Sequence, residues 1–481
     1  MRELYFLLFF TLSILLLLSC GTDANEEDPD GDLMEFELAA NGITIKCNDA
    51  NPGDRGIVDG EIYVAVDNDR LRRRADSGSD LTKVCVSLVT DMSGLFYGNE
   101  VFNQPIRNWD VSNVTNMSQM FFGFSDNPFN QPIGEWDVSS VTNMSEMFSG
   151  SVEFNQPIGS WDVSSVTDMS FMFSGSSFNQ PINEWDVSNV TNMRRMFDIS
   201  MFNQPLGDWD VSSVTNMNDM FSLTEFNHPI GNWDVSNVTD MGRMFNRSSF
   251  NQPIGDWDVS SVTNMERMFT STGFNHPIGD WDVGNVTNMS SMFSGTAFNQ
   301  PIGDWNVSSV QDMSSMFSRS QFNQPIGNWD VSSVTDMGIM FERSQFNQPI
   351  GDWDVSSVTS MYVMFQRAAF NQPIGDWDVS SVTRMYAMFY DNQAFNKPIG
   401  NWDVSSVETM YHMFWNSNFH QPVGKWDVRN VTDMRGMFLD TRFNYDISGW
   451  CVSHIETEPD NFAVNSALIP QHKPVWGSCP D

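Results

Sequence analysis

A chain of 481 residues with 61 acidic side chains against 24 lysines and arginines, a net charge of −37, lacks the clustered cations that phosphate neutralisation needs. Nucleic-acid binding is thereby excluded, and the acidity suits a large solvated surface whose partners are neutral, cationic or bridged by metal. Length alone suggests three or so domains, yet the abundance of Phe, Met, Trp, Asn and Ser points to one repeat array filling that length.

Residues 1–19 begin with Arg2, followed by an apolar run from Leu4 to Leu18 interrupted only by Thr11 and Ser13. The run is short for a membrane span and fits a signal-peptide core. Its ending, Leu17-Leu18-Ser19-Cys20-Gly21, resembles the lipobox of bacterial lipoproteins, which implies that Cys20 is acylated and becomes the mature N-terminus. Residues 20–38 then form a tether, because Gly21 to Asp32 carries six acidic residues and almost nothing apolar to offset the entropy of ordering. Acidic residues soon after the acylated Cys also resemble a surface-export signal, implying an envelope protein anchored in the outer membrane by its lipid alone and facing outward.

Residues 39–88 read as a small αβ cap, with strand-like alternation over Ile43–Lys46 and Glu61–Val66 and a helical stretch over Asp69–Ala75. Arg72, Arg73 and Arg74 are its densest positive charge and read as a solvated face.

Residues 89–450 hold the array. After a partial copy, Val89 to Phe96, the phrase FNQPIGDWDVSSVTNMxxMF recurs from Phe102, Phe129, Phe154 and Phe178 onward to Phe443. Fifteen copies keep a 24-residue period apart from one of 27 and two of 25, and every extra residue falls between Met-Phe and the next Phe. That stretch is therefore an outward turn tolerant of insertion. Each copy carries eight apolar anchors, for example Phe250, Pro253, Ile254, Trp257, Val259, Val262, Met265 and Met268, completed by Phe269. Such a unit cannot bury its apolar face alone and is stabilised by stacking on its neighbours. The Val-x-x-Met-x-x-Met-Phe spacing predicts a short helix or 3₁₀ turn, and Pro-Ile-Gly-Asp-Trp predicts a short strand. The expected fold class is an α/β repeat solenoid, leucine-rich-repeat-like, of roughly 70 Å at about 4.8 Å per coil.

The repeat phrase, the opening SLVTDMSGLF (Ser87 to Phe96) and the closing CV…KPVWGSCP resemble the BspA-like leucine-rich repeat surface proteins, a bacterial lipoprotein and adhesin group. The resemblance covers about residues 40 to 480 and implies a solenoid at the cell surface with a role in adhesion.

Residues 451–481 read as a C-terminal cap. Cys47, Cys85, Cys451 and Cys479 all lie outside the repeated interior, and export to an oxidising compartment predicts two disulfides. Proximity in sequence favours Cys47 with Cys85 and Cys451 with Cys479, with the other pairings open. No Cys-x-x-Cys spacing points to metal.

Asp follows Trp in every copy, as in Asp110, Asp137 and Asp258, except at Asn306 and Cys451. Such a row would hold a calcium ladder or accept turn hydrogen bonds, and the neutral Asn306 favours the second. The FNQP amides are expected to form a buried ladder, with His228 and His276 substituting in the Gln slot. No GxSxG, HExxH or P-loop motif stands out, so no enzyme and no cofactor are expected. Recognition falls to positions free of packing duty. Arg195, Arg243 and Arg267 share one register; Arg247, Arg319, Arg343 and Arg367 share another; Tyr362, Tyr386 and Tyr411 form a third, with Tyr390, His412 and Trp415 nearby. These stripes make the chain a monomeric surface scaffold for a protein or glycan, and the alternative is a passive envelope spacer without a ligand.

Overall fold

The computed structural model describes residues 33–124 and 127–480, so the apolar leader, Cys20 and the Gly21–Asp32 stretch lie outside the described residues. No helix among the described residues is long and apolar enough to cross a membrane.

The N-terminal unit forms as the alternation predicts. Strands β1 (Met34–Glu35), β4 (Arg55–Val58), β5 (Glu61–Ala65) and β6 (Val84–Cys85) make a sheet in the order β1-β4-β5-β6, and β2 (Glu37–Leu38) pairs antiparallel with β3 (Ile45–Lys46). Helix α1 (Asn68–Asp76) starts where the Asp67 carboxylate accepts from the Arg70 amide, and it buries Leu71 and Ala75. Ile45 bridges to Trp109, and the Arg72 guanidinium donates to the Ser93 carbonyl at 3.0 Å, fixing this unit over the first copy.

From residue 86 to 469 the described chain contains no helix and no strand beyond isolated bridges, which corrects the expected strand-plus-helix coil. Each coil is instead four successive turns. In the coil that starts at Phe250, the amides of Trp257, Val262, Met268 and Thr272 donate to the carbonyls of Ile254, Val259, Met265 and Phe269 at 2.9–3.3 Å. The first and fourth residues of a turn lie side by side, so apolar residues three apart mark a turn as naturally as a helix. What excludes the helix is the third residue: Arg267 and Ser271 have φ of 54° and 57°, the left-handed region, and their counterparts recur through the stack. The Pro-Ile-Gly-Asp-Trp stretch forms no strand because it is closed by the Ile254–Trp257 turn.

Coils stack in register. The amides of Met265, Arg267, Phe269 and Ser271 donate to the carbonyls of Asn288, Ser290, Met292 and Ser294 in the next coil at 2.8–3.1 Å, while the Thr263 amide donates back to Thr239 at 2.9 Å. Parallel bridges between neighbouring coils run without interruption from Asp91 to Asp433. Inside, Ile, Trp, Val, Met and Phe columns form one buried core from Val66 to Leu468. Each indole satisfies its buried N–H on the Ile, Leu or Val carbonyl of the coil before, as in Trp281 Nε1 to Ile254 O at 3.2 Å. Phe rings pile face to face, 5.9 Å apart for Phe293 and Phe317 and 6.2 Å for Phe298 and Phe322.

The stack ends when residues 460–464 stand in for a coil, accepting from Gly436, Phe438 and Asp440, while Phe462 turns perpendicular to Phe438. Disulfides join Cys47 to Cys85 and Cys451 to Cys479, one in each terminal unit.

Candidate functional site

The carboxylates that follow Trp are turn acceptors. Asp330 takes the Ser332 amide at 3.1 Å and its hydroxyl at 2.6 Å, and the same pair of bonds recurs from coil to coil. The Ser332 hydroxyl, then its amide, hold the Asp330 carboxyl below the usual carboxylate range. Among the described residues no three His, Cys, Asp or Glu side chains converge as a metal site would require. The FNQP amides form their ladder at the surface, contrary to the burial expected. Asn299 Oδ1 accepts from the Asn323 amide at 2.9 Å and from Gln324 Nε2 at 3.2 Å, and where Gln324 also reaches the Asn299 backbone carbonyl at 3.1 Å, His276 reaches that of Asn251 at 3.0 Å.

The arginine columns occupy the left-handed third position of the last two turns, which throws their side chains outward. All of them but Arg247 pair with carboxylates among the described residues. Arg195 pairs with Asp219 at 3.2 Å, Arg243 and Arg267 flank Glu266, Arg319 and Arg343 flank Glu342 at 3.0 and 2.9 Å, and Arg367 pairs with Asp391. Asp198, Asp219 and Glu342 are themselves buried. Burial first, and the Asp219 charge second, push the Asp198 carboxyl up to about 6 against the opposing pull of Arg195. These stripes are internal ion-pair networks that carry left-handed residues.

The aromatic column is built differently. Tyr362 and Tyr386 stack at 4.9 Å, Tyr411 lies against His412 at 3.6 Å, and Trp415 meets the edges of His412 and Tyr390 at 4.4 and 4.8 Å. Arg435, in the tyrosine register one coil on, sits 5.2 Å over Tyr411, and Trp415 Nε1 donates to Asp440. Gly338, one coil before, makes room for the column: a Cβ there would lie 2.3 Å from the Tyr362 ring. The rings are half-buried with their faces taken up by neighbours, so they offer hydroxyls and edges to solvent. Burial raises the Tyr362 and Tyr386 hydroxyl pKa values and lowers that of His412.

One signal in the sequence marks this patch and lies outside the variable positions between the methionines. The residue before the first Met of each turn is Asn or Asp from Asp91 to Asp336 and again at Asp433, and its side chain accepts from the amide two residues on, as Asp336 does from Gly338 at 2.7 Å. In the three tyrosine coils it is Ser360, Arg384 and Thr409. Ser360 is fully buried and its hydroxyl lacks a partner among the described residues. The side-chain acceptor is lost at Ser360 and Arg384, whereas the Thr409 hydroxyl still accepts from the Tyr411 amide at 3.5 Å.

The family model described as Mycoplasma protein of unknown function, DUF285, matches residues 69–177, 122–225, 167–274, 200–297, 220–324, 271–373, 295–395 and 367–472, overlapping segments that follow the repeats across the stack. No curated protein and no solved structure matches the chain.

Proposed function

We propose, since the chain belongs to that DUF285 family, that it is a leucine-rich-repeat-like solenoid held at the bacterial envelope by a lipid on Cys20, facing outward as a monomeric scaffold for a protein or glycan ligand. The resemblance of its repeat phrase to the BspA-like surface proteins supports display and adhesion. The observation that carries the binding reading is the paired change in three consecutive coils: tyrosine replaces the small or polar residue between the methionines where Ser360, Arg384 and Thr409 replace the Asn or Asp acceptor. Random drift has no reason to place both changes in the same three coils. Because the ring faces are already stacked, the patch suits the hydrogen-bonding and apolar groups of a protein surface better than the face of a sugar.

The test probes matrix-protein and glycan arrays with the lipid-free chain. Saturable binding that Tyr362→Ala, Tyr386→Ala and Tyr411→Ala together abolish, at unchanged melting temperature, supports the scaffold; the absence of any saturable signal favours a passive spacer. Lipid anchoring is tested separately by metabolic palmitate labelling, which Cys20→Ser removes.

A further inference from the structure

The first turn of each coil, Ile-Gly-Asp-Trp, lies two turns from the tyrosine column whichever way the coil is followed. Along this face the coils starting at Phe370, Phe395, Phe419 and Phe443 enclose a groove of about 600 Å³, whereas the same face around Pro325 and Pro349 encloses only about 270 Å³. The groove is lined by proline rings from three of these coils, Pro373, Pro398 and Pro422, alternating with Gly375, Gly400 and Gly424. A Cβ on Gly400 would lie 2.5 Å from the Pro422 carbonyl oxygen, and one on Gly375 would lie 2.7 Å from that of Pro398.

The rim has a different character from the rest of the row. Upstream, the residue after Gly is Asp256, Asp280, Asp304, Asn328 and Asp352; at the groove it becomes Asp376, then Asn401, then Lys425. The Tyr445 ring, exposed and 4.8 Å from His420, closes the far end beside Asp446. Within the groove the turn amides of Gly375, Asp376, Gly400 and Asn401 make no hydrogen bond among the described residues. The groove therefore offers amide and ammonium donors, carboxylate and amide acceptors, and strips of C–H surface, repeated from coil to coil beside Trp402, Trp426 and Trp450, whose rings are spaced at 6.5 Å.

We propose that this groove binds an uncharged oligosaccharide laid along the stack. A sugar ring has C–H faces for the prolines and for Tyr445, and its hydroxyls both donate and accept, matching the mixed rim. An anionic chain meets Asp376, Asp446 and a molecule of net charge −37. The volume falls in the range of specific ligand sites. This site is independent of the tyrosine column and of the ligand proposed for it.

Calorimetric titration of the lipid-free chain with cellohexaose, laminarihexaose, maltohexaose and chitohexaose, beside hexagalacturonate as the anionic comparison, tests the assignment. The expected result is saturable binding of at least one uncharged hexasaccharide with Kd at or below about 1 mM. Tyr445→Ala and the surface change Lys425→Glu each weaken it by about tenfold at unchanged melting temperature, while the Tyr362→Ala, Tyr386→Ala, Tyr411→Ala variant binds as before. No saturable binding of any uncharged hexasaccharide, tighter binding of hexagalacturonate, or affinity indifferent to both groove variants overturns it.

Discussion

Asn306 accepts from the Ser308 amide at 3.3 Å and from its hydroxyl at 2.7 Å, reproducing with a neutral amide the two bonds that Asp330 accepts from Ser332. The row of carboxylates is thus held by turn donors, and charge is dispensable at each position. Asp330→Asn is expected to shift the melting temperature by less than the equivalent of about 0.5 kcal/mol, and a chelator to leave the melting curve of the chain unchanged. A large chelator-dependent drop would establish a cation ladder instead.

The indole column supports the core more heavily. Trp281→Phe removes the bond to the Ile254 carbonyl and leaves unfilled volume between two coils. The expected cost is about 2 kcal/mol. In a stack held by nearest-neighbour interfaces the loss is local, so hydrogen exchange should accelerate in the coils on either side while the distant ends keep their protection.

Left-handed positions provide a test of opposite sign. Ile339 is β-branched at φ 62°, a conformation costing roughly 1–2 kcal/mol for an L side chain. Ile339→Gly should raise the urea midpoint, with a net gain of about 0.5–1 kcal/mol after the greater freedom of the unfolded glycine is counted. Gly436→Ala should lower it, because φ there is 60° and a Cβ would lie 2.4 Å from the His412 ring.

Asp198 makes stability depend on pH in an identifiable window. Its folded pKa of about 6 stands above the 3.8 of an unburied aspartate, so the folded chain holds the extra proton between those values and gains stability as pH falls through about 6. Asp198→Asn removes the buried charge at every pH. The variant should melt higher than the parent at pH 8, by the equivalent of about 1–2 kcal/mol, and lose that advantage by pH 4. An advantage that does not change with pH would place its origin outside this titration.

The core was legible because duplication writes each packing position fifteen times: the columns of Phe250, Trp257, Val262, Met265 and Met268 could be read directly, and all are buried. The helix of the N-terminal unit, expected over Asp69–Ala75 and found at Asn68–Asp76, and the two disulfides were legible from local signals. The coil's conformation was not, since a spacing of three cannot separate a helix from a chain of turns without the backbone angle at residues such as Arg267. Nor were the ion pairs: Glu342 neutralises Arg319 from 23 residues away, a distance that becomes contact only after coils stack. The tyrosines were found as a stripe, but their stacking faces and the altered Ser360 beneath them required the fold.

The fourth turn of each coil shows how the array can change length. In a 24-residue coil a hydroxyl closes it, Ser248 donating to the Phe245 carbonyl and accepting from the Phe250 amide. In two of the longer coils Asn127 and Asn392 take that place: they accept from the Phe129 and Phe395 amides, Asn127 donating to the Phe121 carbonyl of its own coil and Asn392 to the Phe365 carbonyl of the coil before. Slack is thus absorbed at one corner and never transmitted to the pitch. Recombination between near-identical copies can delete or add whole units, and the product seals against the same two ends. The length of the stack is therefore a number that can change in steps of about 4.8 Å, without redesigning a single contact.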